Sequence, residues 1–277
     1  MIKILSIVFI LVLIPFTPLR AKTIRIGVID TGYDFKATWK HKGAHTPIFC
    51  DVEHKDFTTT KENPNYLVDN HGHGTHVAGL IARYAKGLDY CLVIVKFYDP
   101  TNPFSDNLVN SIKSFQYLLE QNVDVVNYSG GGLSKTVTEC SIIKKALDQG
   151  IIFVTAAGNE GSNLKNNPYY PAMCDDRVII VTNLHPGGKK LAPSSNYSEN
   201  SKIEVFSEKG TSRFSTLPGG QMGNMTGTSQ AAAIMTGKIV KLLSIRALWD
   251  EKNTPVKVEA APLAKTKAIP KKISGNK

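Results

Sequence analysis

Three histidines fall close together, His71, His73 and His76, in the stretch DNHGHGTHVAGLIA from Asp69 to Ala82. Imidazole titrates near neutral pH, so such a group can bind a metal ion, serve as a general base or simply pack. The metal reading is the weakest. Gly72 and Gly74 separate the histidines flexibly, and no His-Glu-x-x-His pair with its own base is present. A general base needs a nucleophile to serve, and the chain offers an Asp directly after an apolar run (Asp30) and a Ser at the start of a helical pattern (Ser229). A serine hydroxyl is a poor nucleophile at neutral pH until an imidazole within reach accepts its proton, and a carboxylate can hold that imidazole in one tautomer. Taken singly, Asp30 reads as a turn or cap residue and Ser229 as a helix cap. Taken together with a histidine, they are the set that acyl transfer requires.

The elements that would position them are legible from periodicity. Short apolar, β-branched runs at Ile24–Ile29, Pro47–Val52, Cys91–Tyr98, Val123–Tyr128, Ile151–Ala156, Val178–Thr182 and Ile203–Phe206 read as strands buried on both faces. Helical spacing appears between them at Asp106–Gln121 and Thr138–Gln149, and again from about Thr228 to Leu248. The alternation predicts an α/β domain with a mostly parallel sheet and helices on both faces. In such folds the site lies at the carboxyl ends of the strands. Three of those ends carry suggestive residues: Asp30-Thr31-Gly32, then Ser129-Gly130-Gly131-Gly132, then Ala157-Gly158-Asn159.

Composition bounds the rest. A chain of 277 residues, 42% hydrophobic, supports one sizeable core. Residues 1–21 carry one Lys, an apolar run and a small residue at Ala21, the pattern of a secretory signal peptide. Leu19 and Arg20 make a poor cleavage site, so an uncleaved anchor is the competing reading. All four cysteines lie beyond this segment without a CxxC motif, which in an exported chain favours disulfides. About half of the net charge of +10 lies in a Lys/Pro-rich tail, residues 251–277, which lacks apolar periodicity and is expected to be disordered. That tail lacks the interleaved aromatics of a nucleic-acid surface, so no nucleic-acid partner is expected. The folded domain is accordingly assigned to residues 22–250.

Four motifs in order, VIDTG (Val28–Gly32), GHGTHVAG (Gly72–Gly79), AAGNEG (Ala156–Gly161) and GTSQAA (Gly227–Ala232), resemble those of the subtilisin-like serine proteases (subtilases, peptidase S8). The resemblance covers roughly Ile24 to Leu248. It implies a three-layer fold with a central, mostly parallel sheet, and a catalytic triad of Asp30, His73 and Ser229. It also implies an oxyanion hole from the Asn159 amide and the Ser229 backbone N–H. Substrate would lie along Ser129, Gly130 and Gly131, with Ala156, Ala157 and Gly158 forming the opposite wall of an open pocket for a sizeable apolar side chain. The same resemblance implies the pairs Cys50–Cys91 and Cys140–Cys174, one of three possible pairings. His76 is then expected to be a neutral packing residue and His71 a loop residue at the rim.

Departures from the family pattern set further expectations. Only Lys22 and Thr23 separate the signal from the first strand, so no built-in propeptide is expected. Val77–Ala85 continues helically where many members insert a calcium loop, so no metal is expected there, and no cofactor. Gln230 and Ala233 stand where Met and Pro are usual. The expected protein is a secreted or periplasmic monomeric endopeptidase acting on polypeptides, with no stable membrane association once the signal is cleaved. The competing reading is a non-catalytic binding protein on a degenerate version of the same fold.

Overall fold

The computed structural model describes residues 22–200 and 202–252; the signal segment and the tail beyond residue 252 lie outside them. Nine strands and four α-helices form among these residues. They are β1 (Ile24–Asp30), β2 (Lys55–Asp56), α1 (His73–Tyr84), β3 (Tyr90–Lys96), α2 (Asn107–Glu120), β4 (Val125–Tyr128), α3 (Val137–Asp148), β5 (Ile152–Ala156), β6 (Ile179–Asn183), β7 (Val205–Glu208), β8 (Arg213–Thr216), β9 (Met222–Met225) and α4 (Thr228–Lys252). The first seven strands make one sheet in the order β2-β3-β1-β4-β5-β6-β7, with every described pairing parallel. Strands β8 and β9 form a separate antiparallel hairpin.

Side-chain alternation divides each central strand between two cores. Ile26, Val28, Leu92 and Ile94 pack with Leu80, Ile81 and Ala231–Ala233 of α1 and α4. Ile29, Val93 and Val95 face the opposite way, onto Phe115, Leu118 and Ile143 of α2 and α3. This is the three-layer α/β architecture with helices on both faces. Gly27 has no side chain because Leu118 occupies the space: a Cβ there would lie 2.4 Å from Leu118 Cδ1. The helix starts are capped as their sequences allow. Asp106 accepts the Leu108 and Val109 amides at 3.0 Å, and Thr136 accepts the Glu139 amide at 3.2 Å.

Two expectations are corrected. Pro47–Val52 is not a strand; its ladder contact with the sheet is a single bridge between Phe49 and Leu92, and the edge strand is the later β2. Its apolar character comes from Phe49, whose ring packs against Tyr33, Phe35 and His54 rather than extending a ladder. Cys50 therefore sits in a loop beside β3, not on a neighbouring strand. The β8–β9 hairpin has no counterpart among the expected strands. It lies across α1, where the Ser215 and Thr216 hydroxyls donate to the carbonyls of His76 and Thr75 at 2.9 and 3.0 Å. Gly79 permits this approach, since a Cβ there would fall 2.2 Å from Thr216 Oγ1.

Candidate active site

Asp30, at the carboxyl end of β1, is 2% exposed. Its Oδ1 accepts the Thr31 amide at 2.8 Å and meets His73 Nδ1 at 2.7 Å. That contact fixes the neutral tautomer, with the proton on Nδ1 and the Nε2 lone pair directed away from the carboxylate. His73 is the first residue of α1. Burial pulls its pKa down, but the Asp30 carboxylate and, more weakly, that of Asp69 reverse the effect and leave it above the ordinary imidazole value. The second oxygen of Asp30 is buried without a hydrogen-bond partner, so the imidazole supplies most of what compensates this charge.

Ser229 lies in the first turn of α4, with its backbone at the positive end of the helix dipole. Its hydroxyl donates to the Ser129 carbonyl at 3.1 Å, and the Ser129 hydroxyl donates to the Ser229 carbonyl at 3.2 Å. The reciprocal pair ties the helix start to the end of β4. Asn159 is exposed and oriented by Thr228, whose backbone N–H and hydroxyl donate to Oδ1 at 3.0 and 3.2 Å. Because a backbone N–H can only donate, the oxygen must face Thr228, which leaves the amide nitrogen as the group's donor end.

The remaining histidines separate cleanly. His76 is fully buried; its Nε2 donates to the Arg213 carbonyl at 2.8 Å and approaches that of Gly223 at 3.3 Å, holding the β8–β9 hairpin against α1. Burial pushes its pKa down to about 4, and Nδ1, left without a partner, stays unprotonated. His71 is exposed, its ring 6.0 Å from that of His73 and 6.2 Å from that of Tyr98. The three rings do not converge on one point, since His76 is spent on backbone carbonyls of the hairpin.

Sequence reasoning passed over Asp69. It is buried, and its two oxygens accept five donors: the Thr31 hydroxyl, the amides of His71, Gly72 and Thr75, and the Thr75 hydroxyl, at 2.7 to 3.1 Å. Gly72 at the N-cap adopts φ 90° and has no side chain to cap α1, so Asp69 supplies the cap from three residues upstream. Behind it, fully buried Lys96 donates to the Val68 carbonyl at 2.7 Å and pairs with Asp99 at 2.5 Å. An acid three residues before a Gly-His-Gly start was the available signal.

The glycine segment is closely packed by aromatic rings on one side. Gly130 and Gly131 lack side chains because Tyr128, Phe97 and Tyr169 take that space, and Gly132 exchanges backbone hydrogen bonds with Tyr170 at 2.7 and 2.8 Å. Ala156 and Ala157 are buried, and Gly158, at φ 97°, is crowded by Asn196 and Glu160. A cavity of about 400 Å³ opens on Gly130–Gly132, toward α2 and α3, and is not lined by Ala156, Ala157 or Gly158. Cys50 is bonded to Cys91, and Cys140, in α3, to Cys174.

Relatives place this geometry in a family. The subtilase family (Peptidase_S8) matches residues 21–272. The chain is 30% identical over 245 residues to subtilisin amylosacchariticus from Bacillus subtilis subsp. amylosacchariticus, covering 86% of this chain and 60% of that protein. It is 32% identical over 234 residues to the major intracellular serine protease of Bacillus subtilis strain 168, covering 81% and 70%. Among solved structures, a lanthipeptide protease shares the fold with TM-score 0.67 at 20% identity, covering 83% of this chain and 74% of that one. The self-cleaved protease domain of PatA aligns at TM-score 0.62 and 20% identity, covering 82% of each chain. On the match of the family over nearly the whole described chain, this protein belongs to the subtilase family.

Proposed function

We propose that this subtilase is an exported serine endopeptidase working through an acyl-enzyme intermediate. The observation that carries the reading is the buried Asp30 carboxylate gripping His73 by Nδ1 at 2.7 Å, with Ser229 placed at a helix start. In the reaction Ser229 Oγ releases the Ser129 carbonyl and gives its proton to His73 Nε2 as it attacks the substrate carbonyl. Asp30 stabilises the imidazolium that forms. The Asn159 amide and the Ser229 backbone N–H receive the oxyanion, aided by the α4 dipole. His73 then protonates the leaving amine, and water, deprotonated by the same imidazole, releases the acyl group.

Substrates are polypeptides, docked beside Ser129–Gly131 on the edge not already taken by Tyr170. Two disulfides within a chain that opens on a signal-like segment support a secreted or periplasmic location. We assign residues 22–250 to the peptidase unit and 251–277 to a tail outside it. No cofactor enters the mechanism. Casein hydrolysis by purified protein tests the reading. Activity is expected to persist in His71→Ala and to vanish in His73→Ala, and an inactive His71→Ala beside an active His73→Ala would refute the assignment.

A further inference from the structure

The cavity against Gly130–Gly132 contains an acid that the proposed reaction does not use. Glu139 lines it and is 3% exposed. It stands third after the Thr136 cap of α3, where a glutamate commonly folds back to cap the helix's own amide. Here the side chain is buried instead, facing Ser111 of α2. Burial pushes its pKa up to about 7, the Ser111 hydroxyl offsets part of that effect, and no charged neighbour contributes. The nearby ammonium of Lys135 lies 5.8 Å over the Tyr170 ring. Five aromatic residues, Phe97, Tyr98, Tyr128, Tyr169 and Tyr170, share the lining with Leu108, Leu133 and the three glycines. A buried carboxyl without a counter-charge, in a cavity that aromatic rings border, is a site short of a cation. Cys140, next in sequence, is bonded to Cys174, which fixes α3 to the segment that carries the tyrosines.

We propose that this cavity receives a lysine or arginine side chain of the polypeptide substrate, with Glu139 as its counter-ion. The inference rests on the peptidase reading above. Ser129 is bonded to Ser229, and the cavity opens on the three glycines that follow it in sequence, so the cationic residue falls within a few positions of the scissile bond. There the ammonium replaces solvent between the carboxyl and the tyrosine rings.

A set of quenched-fluorescent peptides that exchanges lysine for norleucine at each of the four positions on either side of the scissile bond tests this. The wild type is expected to cleave the lysine peptide with roughly tenfold or higher kcat/KM at one position, and Glu139→Gln to bring that ratio to one or below. Norleucine preferred at every position, or a lysine preference that survives Glu139→Gln, overturns the proposal. Fluorescence anisotropy of the same peptides on Ser229→Ala keeps the two readings apart. If no peptide is cleaved by the wild type, the peptidase reading fails, while tenfold tighter binding of the lysine peptide, lost in Ser229→Ala/Glu139→Gln, still supports the cation site. Equal binding of the two peptides removes it.

Discussion

The Thr31 hydroxyl donates to Asp69 Oδ1 at 2.7 Å and accepts the Gly74 amide at 2.8 Å, joining the loop after Asp30 to the first turn of the helix that carries His73. The distance between Asp30 and His73 is thus set by a polar clasp, not only by the sheet. Asp69→Asn keeps the size but turns an acceptor into a donor facing other donors. It is expected to cost about 1–3 kcal/mol in stability, the desolvation penalty of unpaired buried groups. It also removes a charge that raises the His73 pKa. The acidic limb of the kcat/KM profile should therefore move to lower pH, a shift that a purely structural role for Asp69 would not produce.

Asn159→Leu removes the side-chain donor proposed for the oxyanion while keeping comparable bulk. A loss on the order of 10²–10³ in kcat with little change in KM is expected, the range that subtilisin itself supplies for such a donor. Steady-state kinetics on one peptide checks this. A KM effect with kcat unchanged would place Asn159 in ground-state binding instead.

His76 and Glu139 give the stability opposite pH slopes. The His76 pKa is lowered from 6.5 to about 4, so the unfolded chain binds the extra proton between those values and stability falls as pH drops through that window. The Glu139 pKa is raised from 4.5 to about 7, so the folded chain binds the extra proton and stability rises as pH drops from 7 toward 4.5. The two oppose each other between pH 6.5 and 4.5. Replacing Glu139 by Gln should uncover the His76 slope, up to about 1.4 kcal/mol per pH unit. Urea midpoints of wild type and variant across the same pH window provide the comparison, and parallel curves would contradict it.

The disulfides close loops with sequence separations of 41 and 34 residues. Each is expected to contribute about 3–4 kcal/mol on the chain-entropy view. Chemical denaturation of Cys50→Ala/Cys91→Ala and Cys140→Ala/Cys174→Ala proteins measures the two separately. The second pair should also weaken any lysine preference, because it anchors the helix that carries Glu139.

Much of the fold could be read from the chain because β1, β3 and β4 are buried on both faces, and such strands are almost continuously apolar. The antiparallel hairpin, which is not buried this way, escaped the pattern. The β8–β9 hairpin is made of Arg-Phe-Ser-Thr and Met-Gly-Asn-Met, polar enough to read as a loop, and only its contacts with α1 make it regular. Phe49 drew Pro47–Val52 into a strand assignment because periodicity cannot distinguish a ladder from an aromatic cluster at a sheet edge. At the site, Asp30, His73, Ser229 and Asn159 stood out through their motifs. Asp69, Lys96 and Glu139 did not, since an isolated acid or lysine carries no sign in sequence that it will be buried. The glycines of Gly130–Gly131 pointed to a substrate groove, but gave no sign of the Tyr128, Phe97 and Tyr169 rings that pack against them.

The central claim is that Ser229 is a nucleophile activated by His73 and Asp30. Intact-mass spectrometry after treatment with a fluorophosphonate tests it most directly. The folded wild type should gain one adduct, located on Ser229, while Ser229→Ala gains none and His73→Ala labels far more slowly. Folded wild-type protein that stays unlabelled, or that carries its adduct on another residue, would contradict the claim.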